Sequence, residues 1–355
     1  MNRFGKVLGG ALVMAMSLGA CADDGGTATT SDGGTGTTLA GGGEGPTFIY
    51  ITPNPIGINK FLELGQIGTE RAAEKLGGSS RTFESTDLNS RRANIEAAVE
   101  DAPDVIVLTT FEFTELSAEF AQANPEQEFI LIDACPETET PIENLHCGVF
   151  REHEGAYLLG LMAGNLTESK QIGSVVALDI PFLHRWSDSF ALGAQTIDET
   201  ITDSQVFIGG DNPFSDPPRA KEQALAMAAQ GADQIFAVGA GSNGGIFEAA
   251  QEVGFMSYGV DVNQCPEAAG SIVDNNLKLV DNAVEQLIDA ILAGTAEPLT
   301  SFGLLEGGTG VMAIGDDLAS SECLIADYPD IVTQVQEAAD QIMDGSLTVP
   351  DPLFP

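Results

Sequence analysis

The amino-acid sequence predicts an α/β protein in which parallel sheets form two lobes. Its apolar segments are short continuous runs rich in β-branched and aromatic residues, such as Thr47–Thr52, and such runs are typical of buried strands. Amphipathic helical patterns separate these runs, which favours parallel sheets covered by helices on both faces. Because the 355-residue chain is longer than one hydrophobic core commonly supports, we expect two lobes.

The predicted strands and helices alternate along the chain. After the first strand, apolar residues recur at helical spacing over 59–76, and Gly77-Gly78 then marks the end of a helix. The further predicted strands are 105–108, 129–132, 172–178, 205–208, 234–238 and 257–260. The further predicted helices are 114–123, 152–166, 181–201, 216–230 and 245–253.

Ligands of parallel α/β sheets bind at the carboxyl ends of the strands, so the loops that follow the strands are the candidate binding segments. The candidate ligand-binding residues in or next to these loops are Asn54, Asn59, Phe61, Phe111, Asp179, Phe214, Gly241, Asn243 and Asp261. Phenylalanines serve more often as core residues than as contacts. Aspartates that end strands either accept hydrogen bonds from ligand hydroxyls or cap the next turn, and spacing leaves both roles open.

The glycine-rich segment 239–244 superficially resembles a phosphate-binding loop. It does not fit the dinucleotide-binding pattern within a first βαβ unit, and it lacks the Gly-Lys-Ser/Thr ending of a P-loop. We therefore interpret it as a tight strand-to-helix turn whose backbone amides can approach a ligand.

The sequence contains no recognisable catalytic motif. Neither a Gly-x-Ser-x-Gly elbow nor a His-Glu-x-x-His motif occurs. The histidines His146, His153 and His184 show no metal-ligand spacing with the cysteines. The charged segment 151–154 opens a predicted helix, where acidic residues interact favourably with the helix dipole. We predict a binding protein without a cofactor or bound metal rather than an enzyme.

The N-terminal segment has the features of a lipoprotein signal peptide. Residues 2–6 carry two positive charges, and an apolar run over 7–18 is too short to span a bilayer. Leu18-Gly19-Ala20-Cys21 matches the lipobox pattern, so we expect a signal peptide over 1–20 and lipid on Cys21. The alternative is a plain secretory signal with an incidental cysteine. Residues 21–45, rich in Gly, Thr and Ser, are expected to form a flexible linker.

The predicted anchor places the protein at a membrane surface, facing the extracytoplasmic side. The chain carries 53 acidic and 14 basic residues, a formal net charge of −39. Such a surface repels nucleic acid and anionic lipid headgroups, so neither is an expected partner. We expect a monomer.

Cysteines other than Cys21 suit an oxidising compartment, where an even number is typical of disulfides. Cys135 and Cys147 flank a short Pro- and Glu-rich connection, which favours a local bridge and leaves Cys265 to pair with Cys323. Three connectivities are possible, and the spacing favours this one without excluding the others.

Several motifs along the chain resemble those of one family, the basic membrane proteins, which are PnrA-like substrate-binding lipoproteins of ABC importers. The segments that carry the resemblance are FREHEGAYLLG at 150–160, DIP at 179–181, FALG at 190–193, FSDP at 214–217, QGAD at 230–233, GVD at 259–261, KLVD at 278–281 and EGG at 306–308. They occur in the family's order and span roughly 46–313.

The resemblance implies a type I periplasmic-binding-protein fold, in which two α/β lobes are joined by three crossovers and the ligand lies between them. It implies a first lobe of 46–150 plus about 262–300, a second lobe of 151–261 plus about 301–345, and a tail over 346–355. An ABC permease is the implied partner.

Known members of the family bind nucleosides, which implies a small-molecule solute of that kind for this chain. The resemblance makes Phe61 and Phe214 a stacking pair for the base, and Asp179, Asp261 and Lys278 the polar contacts. The first loop departs from the family, whose members usually carry an Asp-Asp pair before Ser-Phe-Asn. Here residues 58–62 read INKFL, so Asn54 and Asn59 are the candidate substitutes.

Two alternative functions follow from the same residues. One is a ligand sensor that presents its closed form to a membrane signalling protein. The other is an extracytoplasmic hydrolase of nucleosides or glycosides that uses Asp179 and Asp261.

Overall fold

The structure, a computed structural model, describes residues 45–353. The predicted signal peptide, Cys21 and the linker before residue 45 lie outside the described residues. Within 45–353, the helices are all too short or too polar to cross a lipid bilayer.

The first lobe is built on a six-stranded parallel sheet with the order β11-β5-β4-β3-β1-β2. Its strands are β1 (Thr47–Thr52), β2 (Ser79–Glu84), β3 (Val105–Thr109), β4 (Glu128–Ile132), β5 (Leu145–Phe150) and β11 (Leu299–Phe302). One face packs against α1 (Lys60–Leu76) and α8 (Val280–Leu292), and the other against α2 (Leu88–Asp101) and α3 (Thr114–Ala123). Both faces are therefore buried, as the continuous apolar strands predict.

The second lobe repeats this plan with the strand order β12-β10-β9-β8-β6-β7. Its strands are β6 (Gln171–Val176), β7 (Thr202–Phe207), β8 (Gln234–Val238), β9 (Met256–Asp261), β10 (Ile272–Lys278) and β12 (Thr309–Val311). The short strand β12 runs antiparallel to β10, and the other pairs are parallel. Its helices are α4 (Glu152–Leu166), α5 (Pro181–Ile197), α6 (Pro217–Ala229), α7 (Asn243–Val253) and α9 (Pro329–Met343). The predicted two-lobed α/β fold is confirmed.

Local sequence signals set the helix boundaries. At the start of α1, the side-chain oxygen of Asn59 accepts a hydrogen bond from the backbone N–H of Phe61 at 3.1 Å. The same helix ends at Gly77, whose φ of 67° is a conformation that glycine adopts without steric cost. At the start of α2, Asp87 and Ser90 bond reciprocally in a capping box.

Strand β2, helix α2 and the elements beyond residue 261 were not predicted. The edge strand β2 is only partly buried and has a mixed composition, SSRTFE. Helix α2 buries only Ile95 and Ala98, so its apolar periodicity is weak. Beyond residue 261, the pattern identified no individual elements.

The chain crosses between the lobes three times, after β5, after β10 and after β11, which confirms the expected number of crossovers. The crossover positions differ from those expected. Strand β10 pairs with β9 in the second sheet, so the chain enters the first lobe again only after Lys278, not near residue 262. Strand β11 pairs with β5 in the first sheet and carries that lobe to Phe302.

The segment expected to be a tail is packed against the second lobe. Val349 is buried, and the carboxylate of Asp351 accepts two hydrogen bonds from Arg185 at 2.9 and 2.6 Å. A bidentate pair of this kind fixes the segment because the arginine fork and the carboxylate match in geometry.

Both predicted disulfides are confirmed. Cys135 bonds to Cys147 within the first lobe, with a Cα–Cα distance of 5.4 Å. Cys265 bonds to Cys323 within the second lobe, with a Cα–Cα distance of 5.0 Å. The second bond spans 58 residues, and the intervening chain includes α8 and β11 of the first lobe.

Helices α4 and α5 pack so closely that two glycines face each other. A Cβ atom at Gly160 would collide with the carbonyl oxygen of Phe190 and lie 2.8 Å from Cα of Gly193. We expect Gly160→Ala to lower the free energy of unfolding by about 1–3 kcal/mol, as overpacking does. Urea denaturation followed by circular dichroism measures this change.

Gly244→Ala is the matched control, because a Cβ there meets no atom within 4 Å and α7 already includes the residue. Its stability is expected to be unchanged or to rise by up to about 1 kcal/mol, since alanine has the higher helix propensity. Equal stability of the two variants would contradict the close packing of α4 on α5.

Candidate functional site

A cavity of about 500 Å³ lies between the carboxyl ends of the two sheets. Loops after β1, β2, β3 and β4 line it from the first lobe, and loops after β6, β7, β8 and β9 line it from the second. Its volume lies in the range of sites that enclose small molecules. The position agrees with the rule that ligands bind outside the carboxyl ends of parallel strands.

Aromatic side chains from both lobes form much of the cavity wall; they are Phe61, Phe111, Phe182, Trp186 and Phe214. Phe61 lies at the start of α1 and is 7% exposed, whereas Phe111 is 43% exposed in the turn after β3. Phe182 and Trp186 lie four residues apart on α5, so they share one helix face. The wall can therefore contact a planar apolar group from more than one side.

Lys278, the last residue of β10, lies at the centre of a buried charged group. Its ammonium forms ion pairs with Asp133 and, at 2.8 Å, with Oε1 of Glu152. Four rings surround the same nitrogen, with centroids 5.0 Å away for Phe61, 4.9 Å for Phe150, 5.1 Å for Phe182 and 5.6 Å for Trp186. Such distances allow cation–π attraction.

The charges of this group determine its protonation. Burial alone would lower the pKa of Lys278, but Asp133 and Glu152 outweigh it and hold the pKa above its ordinary value. Burial also raises the pKa of Asp133, although the Lys278 ammonium acts in the opposite direction. Lys278 therefore keeps its positive charge, and Asp133 loses its charge more readily than Lys278 does.

Asp261 is a buried carboxylate of the cavity wall without a direct partner among the described residues. It is 6% exposed and lines the cavity, and no other described residue forms a hydrogen bond or ion pair with its side chain. Burial raises its pKa to about 6, against a smaller lowering by Lys278. A ligand hydroxyl or amine could supply the missing donor.

Seven of the ten sequence-predicted binding residues line the cavity; they are Asn54, Asn59, Phe61, Phe111, Phe214, Asp261 and Lys278. The side-chain oxygen of Asn59 also caps α1, so the amide group is its free donor toward a ligand. These seven residues come from five separate segments, which the strand ends bring together.

Asp179 lies outside the cavity. Its carboxylate is on an exposed loop, 3.1 Å from Nε2 of His184, because the first turn of α5 directs the histidine back toward it. The structure does not bring Asp179 and Asp261 into one cavity, which removes the geometric basis of the hydrolase alternative.

Gly241 and Asn243 also lie outside the main cavity, for two different reasons. Gly241 lines a smaller neighbouring pocket, where Ile58 of the first lobe packs over it. Asn243 is fully buried, accepts a hydrogen bond from Gly239 N at 2.8 Å and donates to Gln264 at 3.0 Å. It therefore holds the strand-to-helix turn in place.

Sequence reasoning missed Asp133, Phe182 and Trp186. Asp133 follows β4 directly, so the strand-end rule that selected Asp261 also applied to it. Phe182 and Trp186 follow the Asp-Ile-Pro segment at a spacing of four, which a search for aromatic pairs on one helix face would have found. Within 45–353 there is no cluster of three or more His, Cys, Asp or Glu residues that could hold a metal ion.

Known proteins have similar sequences. A family model described as ABC transporter substrate-binding protein PnrA-like matches residues 59–335. The ABC transporter nucleoside-binding protein BmpA of Lactococcus lactis is 25% identical over 78% of this chain and 79% of its own length. The CD4+ T-cell-stimulating antigen of Listeria monocytogenes is 23% identical over 81% of this chain and 82% of its own length.

Solved structures support the fold. An ABC transporter solute-binding protein from Aeropyrum pernix superimposes with a TM-score of 0.71 at 24% identity, covering 86% of this chain and 94% of that one. A second from Conexibacter woesei gives a TM-score of 0.66 at 17% identity, covering 87% and 100%. The match of the family model over 59–335 shows that the chain belongs to the PnrA-like family of ABC-transporter substrate-binding proteins.

Proposed function

We propose that this protein captures a nucleoside in the cavity between its lobes and delivers it to an ABC permease. The observation that carries the proposal is the composition of the cavity, which joins aromatic walls from both lobes to a buried group of Asp133, Asp261 and Lys278. Base–aromatic stacking is worth about 1–3 kcal/mol per base. Hydrogen bonds between ligand hydroxyls and charged groups add about 1.5–3 kcal/mol each.

The charges around the cavity favour an uncharged ligand over a phosphorylated one. The Lys278 ammonium is already shared between Asp133 and Glu152, and Asp261 adds a further carboxylate beside it. A phosphate group would meet this excess of negative charge without a free cation in the buried group. A nucleoside thus suits the site better than a nucleotide.

The proposed location follows from the N-terminal sequence. Lipid on Cys21 would hold the protein at the extracytoplasmic face of a membrane, and the Gly/Thr/Ser-rich residues up to 45 would let the lobes reach a permease. The L. lactis relative is named a nucleoside-binding protein, which supports the same class of solute for this chain.

The ligand class and the stacking role of Phe214 are testable together. We expect one or more of inosine, guanosine, adenosine, cytidine and uridine to stabilise the full chain in detergent and so raise its melting temperature. When the ligand is in hundredfold excess over Kd, the stabilisation is about 2.7 kcal/mol. Phe214→Ala should weaken binding by about 1–3 kcal/mol because it removes one stacking face. Differential scanning fluorimetry and calorimetry measure both effects.

Val253→Ala is the control for a lost apolar side chain, since Val253 ends α7 and is 53% exposed. It should bind as the wild type does. No shift with any nucleoside would contradict the proposed ligand class, and an unchanged Kd in Phe214→Ala would contradict the stacking role. Mass spectrometry of copurified small molecules identifies the ligand independently.

Ligand affinity is expected to depend on pH. The pKa of Asp261 is raised to about 6 in the ligand-free protein, and a ligand hydroxyl that donates to this group prefers the ionised form. Affinity should therefore be highest above that pKa and fall as pH drops through 6, because protonation must be reversed before binding. Calorimetric titrations between about pH 8 and pH 5 measure the profile.

Asp261→Asn is the matched variant, since it keeps the shape of the side chain and cannot titrate. We expect weaker binding at neutral pH and a flatter profile below it, with the residual slope due to Asp133, whose pKa burial raises to about 7. A wild-type affinity that stays constant down to pH 5 would exclude a hydrogen bond from the ligand to an ionised Asp261.

A further inference from the structure

The two cavity aspartates occupy corresponding places in the two lobes. The strand orders β5-β4-β3-β1-β2 and β10-β9-β8-β6-β7 match position by position, so β4 corresponds to β9. Asp133 follows β4, and Asp261 is the last residue of β9. Both have positive φ angles, 74° and 69° respectively. Each lobe therefore presents one carboxylate to the cavity from the same kind of backbone.

That backbone conformation is unfavourable for a residue with a side chain. Positive φ is uncommon outside glycine, and it persists where the surrounding structure holds it. Around Asp261, Val262 N donates to Val260 O at 2.8 Å and closes a three-residue γ-turn, a rare turn when φ is positive. At Asp133, the backbone N–H donates to Gly148 O of β5 at 2.7 Å.

Each aspartate is followed within four residues by one half of a disulfide. Cys135 follows Asp133 and bonds to Cys147, the neighbour of the Gly148 whose oxygen receives the Asp133 N–H. The disulfide and this hydrogen bond therefore join the same two chain segments, 133–135 and 147–148.

The second lobe shows the same arrangement. Cys265 follows Asp261 and bonds to Cys323, while Asn263 between them donates to Ser321 O at 2.9 Å. Cys323 N in turn donates to the hydroxyl of Ser321 at 3.1 Å. The segment that leaves the γ-turn is therefore tied to 321–323 by both a covalent bond and hydrogen bonds.

We propose that the two disulfides are positioning elements of the binding site, each fixing a strained turn that aims a carboxylate into the cavity. Ligand affinity then depends on the oxidised state of both bonds. Reduction by dithiothreitol would transfer two electrons and two protons to each bond, giving two thiols and the cyclic disulfide of the reagent. The binding consequence rests on the proposed function, whereas the positioning itself does not.

The test uses the full chain with two double variants, Cys135→Ser/Cys147→Ser and Cys265→Ser/Cys323→Ser. The probe is inosine, and calorimetry measures its Kd. We expect each variant to bind at least about tenfold more weakly, as the loss of one well-aimed hydrogen bond to a charged group implies. Hydrogen–deuterium exchange, without ligand, should accelerate mainly over 133–135 and 261–265 in the respective variant.

Matched controls separate positioning from general destabilisation. Val105→Ala and Ile172→Ala remove buried apolar atoms at the amino-terminal ends of β3 and β6, away from the cavity. They should lower the melting temperature and leave the Kd for inosine unchanged. If one double variant does not fold, reduction of the folded wild type by dithiothreitol supplies the same comparison.

The outcomes distinguish this proposal from the proposed function. If the wild type binds inosine and both double variants bind it equally well, the disulfides do not position the site. If the wild type binds no nucleoside, the proposed ligand class is wrong. Hydrogen–deuterium exchange without ligand then still tests whether the disulfides position the two turns. Faster exchange confined to the two turns supports positioning, and exchange that is unchanged or uniformly faster overturns it.

Discussion

The rest of the site depends on one buried ion pair group, in which Lys278 lies between Asp133 and Glu152. Its members come from three parts of the chain, because Asp133 belongs to the first lobe, Glu152 follows the first crossover and Lys278 precedes the second. Burying a single charge costs several kcal/mol, so each member requires the others. Glu152 also accepts from Arg185 at 3.2 Å, and Arg185 binds Asp351. Alternating charges thus connect the cavity to the C-terminal segment.

This arrangement explains how an acidic protein can offer a selective site. The rings around Lys278 exclude water, and the two carboxylates satisfy its charge, so the ammonium is held in one place before a ligand arrives. The buried carboxylate of Asp261 keeps unused acceptor capacity toward the cavity. Selectivity therefore comes from few fixed polar groups within an apolar wall, which is the usual design of small-molecule sites.

The sequence predicted the fold well because buried parallel strands leave a strong local signal, as in β3 and β8. It did not predict β2 and α2, which bury little apolar surface, and it placed the second crossover too early because pairing of β10 with β9 is a long-range property. In the site, strand-end position identified Asp261 but not the direction of each side chain. Asp179 lies in the loop after β6, yet its carboxylate contacts His184 in the first turn of α5 instead of lining the cavity.

The two lobes contact each other in two different ways around the cavity. Three crossovers and the buried ion pair between Asp133 and Lys278 link them at one place. At another place, Ile58 of the first lobe packs over Gly241 of the second. A Cβ atom on residue 241 would lie 3.0 Å from Cγ1 of Ile58 and 2.9 Å from the backbone oxygen of Phe214. Glycine thus permits a close approach of the first lobe, while Ile58 itself stays 57% exposed. Such a small apolar contact is weak compared with the buried ion pair, so the lobes are held together less firmly there than at Lys278.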